Sequence, residues 1–228
     1  PAVILRGSEA TTAILLIYLY LQNKQSLLDP LTGLGNRVEF QKMISLSIQR
    51  GQPLFLVMVI SLRDFKQIND HFGQRTGDHF LKLIASTLKI LTAPYPVYRF
   101  SGDEFALLIR GRSPEQMEEL QKNIHSRFNE PFEIDSYSCR LHAVIGIAAY
   151  PHSAESLEGL INGLEYAVNQ AKLHHWKQCY CDQKMLEGMR RRNEIIEILK
   201  QKLQDQEFVM VYQPIYEVKT GKISAVAV

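Results

Sequence analysis

The sequence predicts an α+β fold built on a central, mainly antiparallel sheet flanked by helices. Three observations carry this. Residues 54–60 (LFLVMVI) form a short unbroken apolar run, which reads as a central strand buried on both faces. Residues 97–100 and 105–109 are two further apolar runs flanking the polar segment Ser101-Gly102-Asp103-Glu104, a β-hairpin with a small turn. The full order runs strand, helices, hairpin, helix, strand, helix. Such mixing of hairpins and helices points away from a doubly wound parallel sheet.

The elements follow in order. Residues 13–21 (AILLIYLYL) are continuously apolar but too short to span a bilayer, which needs about 20 residues. No basic region and cleavage pattern mark a signal peptide. Two readings of residues 1–28 stand: the cytoplasmic end of a membrane helix, or a stalk helix with Ile14, Ile17, Leu21 and Leu28 on one stripe. The start at Pro1 fits a fragment of a longer chain. Asp29-Pro30-Leu31-Thr32-Gly33-Leu34-Gly35 is a turn-rich junction. Asn36 caps the next helix, with Glu39 three residues on as in a capping box, and Gly51 and Pro53 end that helix after Arg50. Residues 65–71 give a short helix, and residues 80–91 a clearer one with Phe80, Leu81, Ile84, Leu88 and Leu91 on one side. Pro114 opens a helix to residue 128. Within residues 139–150, Leu141, Ala143, Ile145 and Ile147 alternate as in a half-buried strand. Residues 157–173 are helical and 178–181 a short strand. Residues 183–206 form one long charged helix, and 207–215 start a new strand.

Composition narrows the function classes. With 26 basic and 24 acidic residues the net charge is +2, which gives no broad electrostatic case for nucleic acid or a membrane surface. Three cysteines, Cys139, Cys179 and Cys181, are too few and too odd for a disulfide framework and fit a reducing cytosol. His174, His175, Cys179 and Cys181 lie close together. Their spacing matches no usual zinc pattern, and Cys-x-Cys is also what one face of a strand gives.

The informative segment is the hairpin turn. Asp103 and Glu104 are adjacent carboxylates that repel each other. They make chemical sense when a divalent cation sits between them and a phosphate; the bland alternative is a solvated acidic turn. Their setting decides. Tyr98-Arg99-Phe100-Ser101-Gly102-Asp103-Glu104-Phe105 follows Asp29-Pro30-Leu31-Thr32-Gly33-Leu34-Gly35-Asn36-Arg37, and between them stand Phe65-Lys66-Gln67-Ile68-Asn69-Asp70, Gly73 and Gly77-Asp78. In order and spacing these blocks resemble the GGDEF (diguanylate cyclase) family, over residues 29–182.

The resemblance implies a palm-like α+β fold and a bacterial signalling reaction. Two GTP-loaded domains face each other as a homodimer, and each 3′-hydroxyl attacks the other α-phosphate to give cyclic di-GMP. Mg²⁺ or Mn²⁺ serves as cofactor. By position, Asn69 and Asp78 would read the guanine edge. Lys172 would bind phosphate, as would backbone N–H groups around Asp64 and Phe65. Asp103 would hold the metal, together with the Leu62 carbonyl and position 61. Glu104 would lie close to the reacting hydroxyl. No nucleic acid is implied.

The sequence departs from the pattern in four places. Ser101 replaces the first glycine, a mild change. Ser61 stands where the family's strand ends in a metal-binding aspartate, and Arg63 puts a cation where the family has an anion. A hydroxyl is a weak Mg²⁺ ligand beside a carboxylate. Trp176 replaces a phosphate-binding arginine, with Lys177 next door as partial compensation. Thr92 and Tyr95 occupy the positions of the family's charged product-inhibition pair. These departures predict a degenerate member.

Residues 207–228, including Phe208-Val209-Met210-Val211-Tyr212-Gln213-Pro214-Ile215 and Gly221, resemble the opening strands of an EAL (cyclic-di-GMP phosphodiesterase) domain, with residues 183–206 as linker helix. The expectation is a GTP-binding, catalytically impaired signalling domain regulating an adjoining EAL-type domain. It would be the cytoplasmic part of a membrane-anchored bacterial protein. The alternatives are an active diguanylate cyclase and a ligand-free dimerisation module.

Overall fold

The computed structural model describes residues 27–111, 114–134, 137–205, 213–218 and 221–227. The expected stalk or membrane helix before residue 27 and the start of the expected strand at 207–212 lie outside the described residues. None of the described helices is long and apolar enough to cross a membrane.

The chain divides into two compact units, residues 1–186 and 187–228. The first is an α+β domain around a six-stranded sheet of order β1-β3-β4-β2-β7-β8. Its strands are β1 (Gly35–Asn36), β2 (Phe55–Arg63), β3 (Val97–Ser101), β4 (Glu104–Arg110), β7 (His142–Tyr150) and β8 (Gln178–Tyr180). The four central strands pair antiparallel, and the two edge strands join in parallel. A separate hairpin, β5 (Phe132–Ile134) with β6 (Tyr137–Cys139), precedes β7.

Strand alternation distributes the core between two faces. Met58, Ile60, Phe105, Leu107, Ile145 and Ile147 face one way, into a cluster with α2 (Phe65–Phe72), α3 (Gln74–Leu91) and α4 (Pro114–Asn129). The opposite face carries Val57, Val59, Ser61, Ala106, Leu108 and Val144, all buried, under α1 (Arg37–Gln49) and α5 (Leu157–Leu173). Gly146 of β7 lets α5 sit directly on the sheet. A Cβ there would stand 2.7 Å from Val168 and 3.0 Å from the backbone of Leu164.

Several expectations are corrected. Leu54 is exposed, and β2 runs instead to Arg63, which brings the strand end to the hairpin turn. Helix α3 starts at Gln74, because Gly73 (φ 81°) closes α2 and the polar stretch up to Asp78 then winds on without an apolar stripe to announce it. Cys139 belongs to β6, and β7 is buried on both faces at its centre, since α5 covers the side assumed to be solvated. Asn36 does cap α1, its Oδ1 accepting from Val38 and Glu39. The box is not closed reciprocally, for the Asn36 N–H donates to the Leu27 carbonyl.

Helix α6 (Gln183–Gln204) begins in the first unit, where Leu186 is buried. The second unit contains the rest of α6 and an antiparallel hairpin of β9 (Gln213–Tyr216) and β10 (Ile223–Ala227), with Gly221 at φ 65° between them.

Candidate functional site

The β3–β4 turn is built around a buried arginine. Ser101 pairs with Glu104, so only Gly102 and Asp103 form the turn, and the register slips between Arg99 and Ser101. Arg99 is 8% exposed; its Nε donates to the Ser101 carbonyl at 2.8 Å and its Nη2 to the Gly102 carbonyl. The guanidinium lies over the Phe105 ring, and its Nη1 is 3.9 Å from the Asp29 carboxylate. Burial lowers the Arg99 pKa from its ordinary value, while Asp29, Asp103 and Asp78 oppose the shift. Asp29 in turn accepts from the Thr32 amide and hydroxyl, which closes the turn-rich junction into a loop docked on the hairpin. Arg99 stands within the sequence motif, where its task is not visible from the motif alone. The available signal was an arginine inside an otherwise buried strand, where a cation must find partners.

Glu104 lies opposite Ser61 in the β2–β4 register, on the α5 side of the sheet. Its Oε1 accepts from the Ser61 hydroxyl at 3.0 Å and faces the Lys172 ammonium at 3.5 Å; its Oε2 accepts from the Ser101 hydroxyl at 2.8 Å. Asp103 is placed differently: its carbonyl accepts from the Leu62 amide at 3.1 Å. Thus Glu104, not Asp103, has its carboxylate against position 61. The donor set does not suit a divalent cation. Ser61 offers a buried hydroxyl already donating, and Lys172 fills the cation position beside Glu104. Among the described residues no three His, Cys, Asp or Glu groups converge.

A cleft of about 480 Å³ opens beside this network, lined by the strand end from Leu62 through Lys66 together with Asp103, His142, Lys172 and His175. Arg63 reaches across it. Its Nη2 donates to the Lys172 carbonyl at 2.9 Å and lies 2.8 Å from His175 Nδ1, at the C-terminal end of α5 where the helix dipole favours a cation. Asp64 (φ 55°) and His175 (φ 57°) both hold the left-handed conformation on the cleft wall. Asp64 makes no side-chain cap on α2; the Gln67 amide donates to the Asp64 carbonyl at 2.9 Å, which leaves the Phe65 and Lys66 amides for another acceptor. Phe65 anchors the same turn in the core.

Asn69 and Asp78 are both half-buried, on α2 and α3. The Asn69 carboxamide lies over Gly77, whose Cβ position is 1.9 Å from the Asn69 Oδ1. Trp176 is half-exposed and stacks on His174 at 4.7 Å. With Lys177 it lines a second pocket of about 220 Å³ that also takes in His125 and Phe128. Lys177 therefore does not line the first cleft as a substitute for the expected arginine; Arg63 brings the guanidinium there. Thr92 is fully buried and the Tyr95 hydroxyl donates to the Arg110 carbonyl, so neither brings charge to the product-inhibition positions. Cys179 and Cys181 are buried on alternate positions, and burial pushes the Cys181 thiol up to about 11.

Comparison with known proteins agrees with this geometry. The family described as "Diguanylate cyclase, GGDEF domain" matches residues 26–178. The chain is 30% identical over 215 residues to the bifunctional diguanylate cyclase/cyclic di-GMP phosphodiesterase MucR of Pseudomonas aeruginosa, covering 90% of this chain and 31% of MucR. It is 34% identical over 203 residues to the biofilm architecture maintenance protein MbaA of Vibrio cholerae, covering 82% of this chain and 25% of MbaA. The chain thus spans about a quarter to a third of these curated relatives. A solved GGDEF domain of YfiN (TpbB) from P. aeruginosa superposes with a TM-score of 0.65 at 27% identity, over 72% of this chain and 99% of that one. The coiled coil and GGDEF domain of DgcB from Caulobacter crescentus, solved with c-di-GMP, shares the fold at 0.66 and 19% identity, over 77% and 96% of the two chains. With the hairpin turn, the strand end and the flanking helices all in place, this chain belongs to the GGDEF family of cyclic-di-GMP signalling domains.

Proposed function

We propose that this chain is a GTP-binding GGDEF domain that is impaired as a cyclase and regulates an adjoining EAL-type domain. The observation that carries the impairment is the Ser61–Glu104–Lys172 arrangement. The hairpin carboxylate is committed to a hydroxyl and an ammonium, and no second carboxylate meets it from β2. Asp103, placed by its carbonyl on Leu62, then adds negative charge near the cleft without a carboxylate partner at position 61. Retained guanine reading is supported by Asn69, with its carboxamide settled over Gly77, and by Asp78 on the next helix. Phosphate binding falls to Lys172 and to the α2 amides after Asp64 and Phe65.

MucR, named for both activities, and NbdA, named as a cyclic di-GMP phosphodiesterase, are the relatives that support an adjoining EAL-type domain. The hairpin of β9 and β10, with Gly221 at its turn, suits the opening strands of such a domain. Cyclase chemistry needs two half-sites, so a homodimer is part of this reading. GTP as ligand places the domain on the cytoplasmic side.

The test is to incubate the chain with GTP and Mg²⁺ or Mn²⁺ and assay for cyclic di-GMP, beside Ser61→Asp/Arg63→Asp/Trp176→Arg. One preorganised electrostatic group is worth about 10²–10³ in rate, so the repaired form should gain at least that order. A parent as fast as the repaired form would establish an active diguanylate cyclase instead. Failure of GTP to bind either form would leave a ligand-free dimerisation module.

A further inference from the structure

We propose that the cleft takes the polyphosphate of a nucleoside triphosphate without a divalent cation, with Arg63 and Lys172 supplying the positive charge. The inference rests on the nucleotide-binding reading above and names how that site holds its ligand.

Both oxygens of the Glu104 carboxylate are already engaged, and among the described residues Asp103 has no two acidic, histidine or cysteine partners converging with it. Glu104 Oε1 takes the Ser61 hydroxyl and the Lys172 ammonium, and Oε2 takes the Ser101 hydroxyl. A small divalent cation demands near-octahedral oxygen ligation. Here it would have to strip hydrogen-bond donors from one carboxylate and settle beside an ammonium that is 3.5 Å from that carboxylate.

Arg63 is arranged for an anion. Its Nη2 is pinned by the Lys172 carbonyl and His175 Nδ1. Among the described residues its Nε and Nη1 make no hydrogen bond, so two separate N–H donors remain for an anion beside the pinned Nη2. These donors, on a guanidinium that is always charged, suit phosphate oxygens.

The remaining wall agrees. Arg63, Lys66 and Lys172 bring three cations to a cleft whose lining carboxylates are Asp64 and Asp103. The Phe65 and Lys66 amides at the start of α2 add backbone donors on the same wall. The volume, about 480 Å³, is that of a small-ligand site. The pinning carbonyl and the ammonium both belong to Lys172, so the guanidinium and the ammonium sit at the same end of α5.

The experiment is calorimetric titration of the chain with GTP, once in EDTA and once in excess Mg²⁺. The expected result is a Kd in EDTA within about threefold of that in Mg²⁺. Arg63→Gln should weaken binding in EDTA by about tenfold or more, with Arg63→Lys intermediate, each first shown by its melting curve to be folded. Ser61→Asp/Arg63→Asp should make binding depend on Mg²⁺. If the parent binds GTP in Mg²⁺ but loses more than tenfold in EDTA, metal-free binding is overturned while the nucleotide-binding reading stands. Unchanged affinity in Arg63→Gln overturns the role of Arg63. Absence of binding in both buffers overturns both readings.

Discussion

Replacing Arg99 with alanine should loosen the hairpin turn more than any other single change near it. The side chain donates to two turn carbonyls, those of Ser101 and Gly102, and hydrogen bonds from a charged group are worth about 1.5–3 kcal/mol each. Ser101 and Gly102 are exposed, so water recovers part of this once the arginine is gone. Lost stacking over Phe105 adds about 0.5–1 kcal/mol. The net cost is then about 2–4 kcal/mol, which in a domain of this size lowers Tm by roughly 5–12 °C. Arg99→Lys keeps the charge but not the two-pronged grip and should lose about half as much. Asp29→Asn touches only the 3.9 Å pair, leaves Thr32 bonded, and should cost under about 1 kcal/mol. Thermal denaturation followed by circular dichroism ranks the three. An Arg99→Ala melt within 1 °C of the parent, or a larger loss in Asp29→Asn, would refute the idea that the guanidinium holds the turn.

Three other perturbations probe separate parts of the domain. Gly77→Ala would place a methyl group 1.9 Å from the Asn69 Oδ1 and turn that carboxamide away; the preference for GTP over ATP should fall several-fold in paired titrations while Tm changes little. Gly146→Ala meets the short, stiff Val168 side chain at 2.7 Å and helix backbone at 3.0 Å, and should cost about 1–3 kcal/mol by urea denaturation. His125 is held below its ordinary pKa by burial, against a hydrogen bond to Gln178 that favours the charged form. The unfolded chain therefore takes up this proton first, near pH 6.5, so its contribution is intact above that pH and is lost as pH falls through the lower folded value. Tm should drop from pH 7 to pH 5 by more in the parent than in His125→Gln.

The hairpin and helix α5 were legible because each is a local pattern: two apolar runs around Ser101-Gly102-Asp103-Glu104, and a 3.6-residue stripe over Leu157–Leu173. The division of labour between Asp103 and Glu104 was not. Asp103 sits in the turn and Glu104 opens β4, and only the β2–β4 register decides which carboxylate meets position 61. The destination of Arg63 was equally hidden, since it depends on where α5 ends in space, 109 residues further along the chain at the Lys172 carbonyl. Hairpin β5–β6 escaped because three-residue strands carry too little alternation to register. The early start of α3 escaped because its first turn is polar and contains Gly77.

The seat of α5 on Gly146 has a mechanical consequence. A helix is stiff along its axis, and Val168, which touches the seat, stands one turn, or about 6 Å, before Lys172. Any sideways displacement at the seat is therefore delivered almost undiminished to the ammonium beside Glu104 and to the carbonyl that pins Arg63. Position 146 works as a fulcrum for charges it never touches. Graded side chains there, from alanine to serine to valine, would act as shims of increasing thickness, tuning ligand affinity from one to two turns away along the helix.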